Sequence, residues 1–342
     1  MLYPLIFHEN FVETVWGGHR LRSMKGLPSD GRSVGESWEV SAVKGRESFV
    51  ANGPLEGTNL ARLTHDYGPM LLGKRVYSLY GSSFPLLIKF IDAEKDLSIQ
   101  VHPGNELAQA RHQSLGKTEM WFVMQASADA HLFSGFKSPI SKYEYRKRIE
   151  DGSITEVLQR HEVKVGDVFY IPAGRVHAIC GGVMVAEVQQ SSDITYRIFD
   201  YNRPGLDGKP RQLHVELAED AIDYTVHESY RTDYEQLLNK PVGVTECPFF
   251  TVKILKINRA FHRKLFKYDS FIVYMCLKGV CHVRVRSVIG GKEDELPVRQ
   301  VRLTEGNSCL IPACCADVDV VPDNLTGESK VLEVYIDNKN YK

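Results

Sequence analysis

Four polar residues between positions 100 and 177 of this sequence are of the types that bind divalent metal ions. Gln100 and His102 share one segment, Glu119 opens a second and His177 follows a third. Two imidazoles, a carboxylate and an amide oxygen can form a four-ligand set that leaves positions open for water or a substrate. Because three separate segments supply these groups, spacing alone is weak evidence, and any one of them is more often structural or exposed.

The segment 97–102 has the alternating pattern of a β-strand, in which successive side chains point to opposite faces. Ser98, Gln100 and His102 would share one face, opposite three apolar residues. The neighbouring strand, 86–91, is apolar on both faces except for Lys89, and a lysine there must reach water or an anion. Two adjacent strands that both direct polar groups inward predict a small barrel with a polar mouth.

An eight-residue motif occurs twice, as Gly-Asp-Val-Phe-Tyr-Ile-Pro-Ala at 166–173 and Gly-Asn-Ser-Cys-Leu-Ile-Pro-Ala at 306–313. Each copy predicts a tight turn followed by a buried strand that a proline ends. The repeat indicates two similar β-barrels. His177 of the first copy aligns with Asp317 of the second, so only the first barrel keeps the imidazole.

Short runs of β-branched and aromatic residues between Gly, Pro, Asn and Asp predict a mainly β protein with a few short helices. The length of 342 residues fits two domains. We expect a catalytic domain over residues 1–240 and a second β-domain without metal ligands over 241–342. The first includes a short helical insertion at about 138–160 and a helical linker at about 206–240.

Composition excludes several classes of protein. Forty-two Lys and Arg residues balance 43 Asp and Glu residues, so no global basic excess points to nucleic acid or an anionic membrane. No apolar run approaches the roughly 20 residues of a membrane-spanning helix, and the amino terminus lacks the features of a signal peptide. Seven cysteines without paired CxxC motifs favour buried thiols in a reducing compartment. We therefore expect a cytoplasmic protein.

Five segments resemble the type I mannose-6-phosphate isomerases of the cupin superfamily, in their short bacterial form. These are Gly-Glu-Ser-Trp-Glu at 35–39, Ser-Ile-Gln-Val-His-Pro at 98–103, Lys-Thr-Glu at 117–119, Pro-Ala-Gly-Arg-Val-His at 172–177, and the segment from Glu187 to Arg197. The resemblance is strongest between residues 16 and 203. It implies two cupin-like jelly-roll domains, a sugar-phosphate substrate, one zinc ion per chain, and interconversion of mannose 6-phosphate and fructose 6-phosphate.

The resemblance also implies roles for individual residues. The implied zinc ligands are Gln100, His102, Glu119 and His177. Arg197 would lie beside the substrate and Glu187 would line the pocket. In such an isomerisation a proton leaves C2 and another arrives at C1 through an enediol, whose developing charge a metal ion and the Arg197 guanidinium can stabilise. Glu187 is our candidate for the general base, with Lys117 and a zinc-bound water as rivals.

The phosphate group needs cations and donors at some distance from the metal. Ser98 and Lys89 match family positions near the substrate and its phosphate. Long-form relatives carry a lysine shortly after the arginine matched by Arg197, where this chain has Asn-Arg-Pro, and we expect Arg203 to take that part. Since zinc requires neutral imidazoles, activity is expected to fall in mild acid.

Two other functions remain open from the residues. Two histidines and one carboxylate also form the facial triad of Fe(II) cupin oxygenases. The additional Gln100 and the nearby cations favour a phosphorylated-sugar site instead. A non-catalytic sugar-phosphate-binding cupin is the third possibility. The sequence assigns no oligomeric state.

Overall fold

A computed structural model describes residues 1–324 and 327–337 of the chain. Its strands are β1 (Phe11–Gly18), β2 (Val34–Val40), β3 (Leu86–Ala93), β4 (Ile99–Val101), β5 (Glu119–Ala126), β6 (His131–Phe136), β7 (Leu158–Glu162), β8 (Val168–Ile171), β9 (His177–Ile179), β10 (Val183–Gln190), β11 (Tyr196–Phe199), β12 (Arg231–Thr232), β13 (Lys240–Glu246), β14 (Thr251–Ile257), β15 (Phe261–Lys264), β16 (Ile272–Lys278), β17 (Val280–Ser287), β18 (Gln300–Thr304), β19 (Ser308–Ile311), β20 (Asp317–Pro322) and β21 (Ser329–Tyr335). Its α-helices are α1 (Arg20–Met24), α2 (Leu60–Leu72), α3 (Lys74–Tyr80), α4 (Asn105–His112), α5 (Lys142–Glu150) and α6 (Val215–Ala221). Short 3₁₀ turns occur at Gly53–Leu55, Ile154–Val157, Phe266–Tyr268, Glu293–Glu295 and Ala313–Cys315.

The strands form four antiparallel sheets. Sheet I has the order β1-β2-β3-β10-β5-β8-β12 and sheet II the order β11-β4-β9-β6-β7. Sheet III has the order β13-β14-β21-β16-β19 and sheet IV the order β15-β20-β17-β18. The predicted mainly β fold with few helices is confirmed. Sheets I and II use strands up to Thr232 and sheets III and IV begin at Lys240, close to the expected domain boundary.

Sheet I is a central layer because its strands bury apolar side chains on both faces. On β3, Ile88 and Phe90 pack into a cluster that continues through α2 and α3 into sheets III and IV. Ile91 points the other way and packs with Leu132 and Ile179 of sheet II. The alternation of side chains along a strand therefore directs Lys89 into the space between sheets I and II.

The two halves of the chain pack closely on the face of sheet I that is turned away from this space. Leu5 exchanges backbone hydrogen bonds with Leu310 of β19. The buried Glu39 carboxylate accepts hydrogen bonds from Ser37, at 2.6 Å, and from Ser308, at 3.1 Å. The second half thus supports the central sheet from behind.

The internal repeat predicted from the sequence is confirmed. Gly166 and Gly306 have positive φ angles of 96° and 80° and precede the equivalent strands β8 and β19. The strand that follows begins at His177 in the first half and at Asp317 in the second. Asp317 is held by His262 and Ser287, so the second half uses this position for a polar network of its own.

Several local predictions differ from the structure. Strands β3 and β4 lie in different sheets and face each other across the cavity, where we expected neighbours in one sheet. Helices α2 and α3 were not predicted. Within α2, Gly68 (φ 36°) and Pro69 interrupt the helical pattern and produce a kink. The expected helical linker contains α6 and strand β12, with irregular structure elsewhere.

In the part of the chain that the structure describes, no helix is both long and apolar enough to cross a membrane.

Candidate metal centre and active site

Three of the predicted ligands converge in the space between sheets I and II. Oε1 of Glu119 lies 2.8 Å from Nε2 of His102 and 3.3 Å from Nε2 of His177. The candidate ligand atoms all lie within 4.8 Å of one another, and all three residues are buried. We call these residues the trio.

Antiparallel pairing positions the trio. Glu119 begins β5 and is the register partner of Gln189 on β10. His177 begins β9 and is the partner of Gln100 on β4, and His102 directly follows β4. Sheet I therefore supplies the carboxylate and sheet II supplies both imidazoles.

Backbone carbonyl groups fix the tautomer of both imidazoles. Nδ1 of His102 donates to the carbonyl oxygen of Ile194 at 2.9 Å, and Nδ1 of His177 donates to that of Arg175 at 2.8 Å. A carbonyl oxygen only accepts, so Nδ1 carries the proton in each ring. Each Nε2 then keeps a lone pair that a metal ion near Glu119 could use, as metal-binding histidines do.

The trio fits a divalent cation. Although His102 Nε2 and Glu119 Oε1 are only 2.8 Å apart, neither has a hydrogen-bond partner among the described residues. Both atoms are acceptors in these protonation states, and a buried acceptor without a donor is destabilising. A cation between them would satisfy both, and two imidazole nitrogens with one carboxylate oxygen form a common zinc-binding set.

The environment keeps His102 and Glu119 in the protonation states that a metal requires. Burial lowers the pKa of His102 to about 3, and the positive charge of Lys117 acts in the same direction. Burial by itself raises the pKa of Glu119, but the Lys117 charge and the two imidazoles outweigh it and hold that pKa well below its usual value. The site therefore presents a neutral imidazole beside an ionised carboxylate.

Gln100 lies next to the trio, but its amide nitrogen, not its amide oxygen, is close to His177. Its Nε2 is 3.3 Å from Nε2 of His177, and its Oε1 accepts a hydrogen bond of 3.4 Å from Ser98. Ligation through the amide oxygen requires this amide to turn over. The fourth ligand thus stays a prediction.

A cavity opens beside the trio and brings together most of the other predicted residues. The predicted residues in its lining are Lys89, Ser98, Gln100, Lys117, Glu187 and Arg197. The polar lining residues that we did not predict are Glu36, Asp193, Thr195 and Arg211. Arg203 is not among the lining residues.

A buried network of charges forms one wall of the cavity. Nζ of Lys89 lies 3.1 Å from Glu36 and 3.6 Å from Glu187. Trp121 donates to Oε2 of Glu187 at 2.8 Å, and Trp38 donates to Glu36 at 2.6 Å. Burial opposes the charge on Lys89, but the two carboxylates outweigh it and leave its pKa raised. Lys89 is therefore a charged partner of two carboxylates.

Glu187 titrates closer to neutrality than an ordinary carboxyl group. Burial, followed by the charge of Glu119, raises its pKa to about 8. Its Oε1 atom has no hydrogen-bond partner among the described residues. That oxygen lies 3.6 Å from Nζ of Lys89 and keeps a lone pair that can accept a proton from a molecule in the cavity.

Three arginines gather around a single carboxylate, that of Asp200, and two of them, Arg197 and Arg211, line the cavity. Arg211 donates to it through Nε at 2.7 Å and Nη2 at 2.6 Å, and Arg203 through Nε at 3.0 Å and Nη2 at 2.8 Å. Arg197 lies nearby and donates from Nη1 to the carbonyl oxygen of Gln212 at 2.9 Å. Three guanidinium groups against one carboxylate leave this end of the site positive.

Comparisons with known proteins agree with this geometry. The catalytic domain of phosphomannose isomerase type I, as a family, matches residues 5–122. The probable mannose-6-phosphate isomerase GmuF of Bacillus subtilis is 41% identical over 283 residues, which are 82% of this chain and 87% of that protein. The mannose-6-phosphate isomerase ManA of the same organism is 36% identical over 279 residues, 81% of this chain and 86% of that one.

The chain belongs to the type I phosphomannose isomerases. It is therefore an isomerase, and the family membership predicted from the sequence is confirmed. A crystal structure of mannose 6-phosphate isomerase from Bacillus subtilis superimposes with a TM-score of 0.83 at 28% identity, covering 97% of this chain and 99% of that one. The agreement over nearly the whole length extends the likeness to both halves of the fold.

Four polar lining residues of this phosphomannose isomerase were not predicted from the sequence, for two different reasons. Glu36, Asp193 and Thr195 lie inside the segments 35–39 and 187–197, which carry the family resemblance. The resemblance therefore indicated these segments, but we assigned no role to these three residues. Arg211 lies in irregular structure outside any recognised segment. Only the folded chain brings it to the cavity.

Proposed function

We propose that the chain interconverts mannose 6-phosphate and fructose 6-phosphate through an enediol, with zinc as its metal. The observation that carries this proposal is the convergence of buried acceptors without partners, His102 Nε2 and Glu119 Oε1, beside a cavity lined by cations. Such a site offers a place for a divalent cation directly beside a cavity that can take an anionic substrate.

The metal would be held by His102, Glu119 and His177, with Gln100 as the fourth ligand after its amide turns over. Bound there, zinc would supply Lewis-acid polarisation of the sugar oxygens without redox chemistry. The remaining steps fall to side chains of the chain itself.

We assign the general base to Glu187. Trp121 donates to Oε2, and Oε1 accepts no hydrogen bond among the described residues and lies 3.6 Å from Nζ of Lys89, so Oε1 is the oxygen that would take the proton from C2 and return it to C1. A pKa near the working pH favours both transfers. A cation at the trio would offset the Glu119 charge, which contributes to the raised pKa of Glu187, and would bring that pKa closer to neutrality.

Lys117 and Arg197 would stabilise negative charge. Nζ of Lys117 lies 3.7 Å from Oε2 of Glu119, so we propose that its positive charge balances this carboxylate. Lys117 is also the alternative candidate for the general base. Arg197 is the register partner of Gln100, which places it on the strand beside the metal end. Burial and the nearby Arg211 lower the pKa of Arg197, but a guanidinium stays charged at working pH.

The cavity is electrically polarised in a way that suits a sugar phosphate. Near the trio, the carboxyl groups of Glu36, Glu119 and Glu187 lie among the ammonium groups of Lys89 and Lys117, and negative charge is in excess there when Glu187 is ionised. Around Asp200, the arginines are in excess. A divalent cation is favoured at the first end and a phosphate dianion at the second.

The decisive experiment is an isomerase assay before and after removal of metal. The protein is treated with a chelator, then given zinc, iron(II), manganese or magnesium, and assayed for conversion of mannose 6-phosphate with oxygen uptake recorded in parallel. We expect chelation to abolish turnover and zinc to restore it. Oxygen uptake with iron(II) and no isomerisation would instead indicate an oxygenase, and binding of sugar phosphate without turnover would indicate a binding protein.

We also propose a cytoplasmic location. All seven cysteines are buried and free of disulfide bonds, as is usual in a reducing compartment.

A further inference from the structure

We infer that Arg211, positioned by Asp200, directly binds the phosphate group of the substrate, and that Arg203 acts only through the shared carboxylate. This inference rests on the proposed function and names the side chain that recognises one end of its substrate. It differs from the expectation based on sequence, which gave the phosphate contacts to Lys89, Ser98 and Arg203.

The first argument is which cations of the cavity are available. Among the described residues, the cations that line it are Lys89, Lys117, Arg197 and Arg211. Lys89 lies between two carboxylates, and Lys117 lies beside Glu119. Both lysines therefore balance charge at the metal end, and the two arginines remain for an anion.

The second argument separates the two arginines by position. Arg197 pairs with Gln100 across β11 and β4, and directly paired residues of antiparallel strands have neighbouring side chains. Arg197 thus belongs with the reacting carbons close to the metal. The phosphate on C6 lies at the opposite end of the sugar, which leaves it to Arg211.

The third argument is the geometry of Arg211 itself. Its hydrogen bonds to Asp200 use Nε and Nη2, which is one edge of the planar guanidinium. The edge formed by Nη1 and Nη2 remains for a second bidentate contact, the arrangement that arginine makes with phosphate oxygens. The side chain is 23% exposed while that of Asp200 is 6% exposed, so the bound edge is buried and the other can meet a ligand.

Asp200 and the loop that follows it fix this orientation. Asp200 directly follows β11, and the backbone N–H of Gly205 donates to the carbonyl oxygen of Lys209 at 2.7 Å, with a further bridge between Pro204 and Pro210. This hairpin brings Arg203 and Arg211 to the same carboxylate. Arg203 lies against the Tyr201 ring, 5.5 Å from its centroid, and is absent from the cavity lining.

The test compares three charge-removing variants in the metal-loaded full-length protein. In R211Q, the KM for mannose 6-phosphate is expected to rise about tenfold or more, with kcat changed less than about threefold, because a charged hydrogen-bonded contact to the unreacting end is lost. The inhibition constant of inorganic phosphate should rise in parallel. K209Q removes an exposed charge from the same loop and should match the parent. R203Q should shift both constants less than R211Q does.

The inference is overturned if R211Q keeps both constants within about twofold of the parent, or if R203Q has the larger effect. Thermal unfolding and metal content establish that each variant is folded. If R211Q does not fold, R211K replaces it, since a lysine retains charge but cannot bind bidentately; a KM equal to that of the parent then counts against the inference.

A further measurement distinguishes an error in the proposed reaction from an error in this inference. Calorimetric titration of inorganic phosphate into the parent and R211Q proteins measures the anion site without turnover. If the parent does not isomerise mannose 6-phosphate but loses phosphate affinity on R211Q substitution, the reaction is wrong and the anion site stands. If the parent isomerises and R211Q binds phosphate as well as the parent, the reaction stands and the inference is wrong.

Discussion

Gln100 and His177 face each other on the paired strands β4 and β9, with their Nε2 atoms 3.3 Å apart. The amide nitrogen can donate to the imidazole lone pair in this arrangement, so the contact is stable without a metal. Metal binding requires the amide to turn over and present its oxygen. The two side chains therefore contribute unequally to the metal centre, and their variants should differ in zinc affinity.

Replacing His177 with alanine should abolish metal binding and activity while the protein stays folded. The imidazole lies at the beginning of a strand, in the space between two sheets that the remaining clusters hold together. Zinc affinity measured against a competing chelator, together with circular dichroism, checks this. His131→Ala removes an imidazole from β6 outside the trio and should leave metal affinity unchanged. Full metal occupancy in His177→Ala would contradict its assignment as a ligand.

Gln100→Ala should weaken zinc binding much less than His177→Ala does. An amide oxygen is a poorer zinc ligand than an imidazole, and the amide gives up its contact with His177 when it turns over. We expect a loss of about ten- to a hundredfold, the range typical of supporting groups around a metal. The same competition titration measures it. If the two variants lose equal affinity, Gln100 is a full ligand and the observed amide orientation has little energetic weight.

The catalytic assignment of Glu187 predicts a loss in kcat. Glu187→Gln keeps a group that can accept from Trp121 but cannot take a proton, so kcat should fall by about a hundredfold or more at unchanged metal content. The control Glu106→Gln removes an exposed carboxylate on α4. Should Lys117→Met lose kcat while Glu187→Gln retains it, the base is Lys117.

Residues identified from the sequence share a short-range signal. The alternation of Ser98, Gln100 and His102 places one face of a strand toward a cavity, and the repeat places His177 and Asp317 at equivalent turns; both patterns depend on few neighbouring residues. Arg211 and the pairing of β3 with β10 depend on residues distant in the chain. Their positions arise from packing between sheets, for which a single sequence gives no local signal.

The pH dependence of stability follows from the burial of His102. Its pKa is about 3 in the folded chain and 6.5 in an unperturbed one, so below pH 6.5 the unfolded state binds a proton that the folded state does not. The free energy of unfolding of the metal-free protein should therefore be fully retained above pH 6.5 and fall toward pH 3, by up to about 1.4 kcal/mol per pH unit from this group.

Urea denaturation of the metal-free parent and the His102→Gln variant between pH 7 and pH 4 measures this contribution as the difference between their slopes. Equal slopes would show that His102 protonates in the folded state as readily as in the unfolded one.

The expected loss of activity in mild acid assumed an ordinary histidine pKa. Burial lowers the pKa of His102, so this imidazole is protonated only at a lower pH.

The two halves are joined by a helix cap that crosses between them, and its loss should reduce stability without affecting substrate binding. The Asp269 carboxylate accepts hydrogen bonds from the backbone N–H groups of Lys74, at 3.0 Å, and Arg75, at 2.9 Å, at the beginning of α3. Asp269→Ala leaves both donors without this acceptor and should lower the free energy of unfolding by about 0.5–2 kcal/mol. Asp269→Asn keeps an acceptor and should lose less. Because this cap lies on the side of sheet I away from the cavity, KM should stay at the parent value in both variants. A KM that rises together with the loss of stability would mean that the second half also shapes the substrate site.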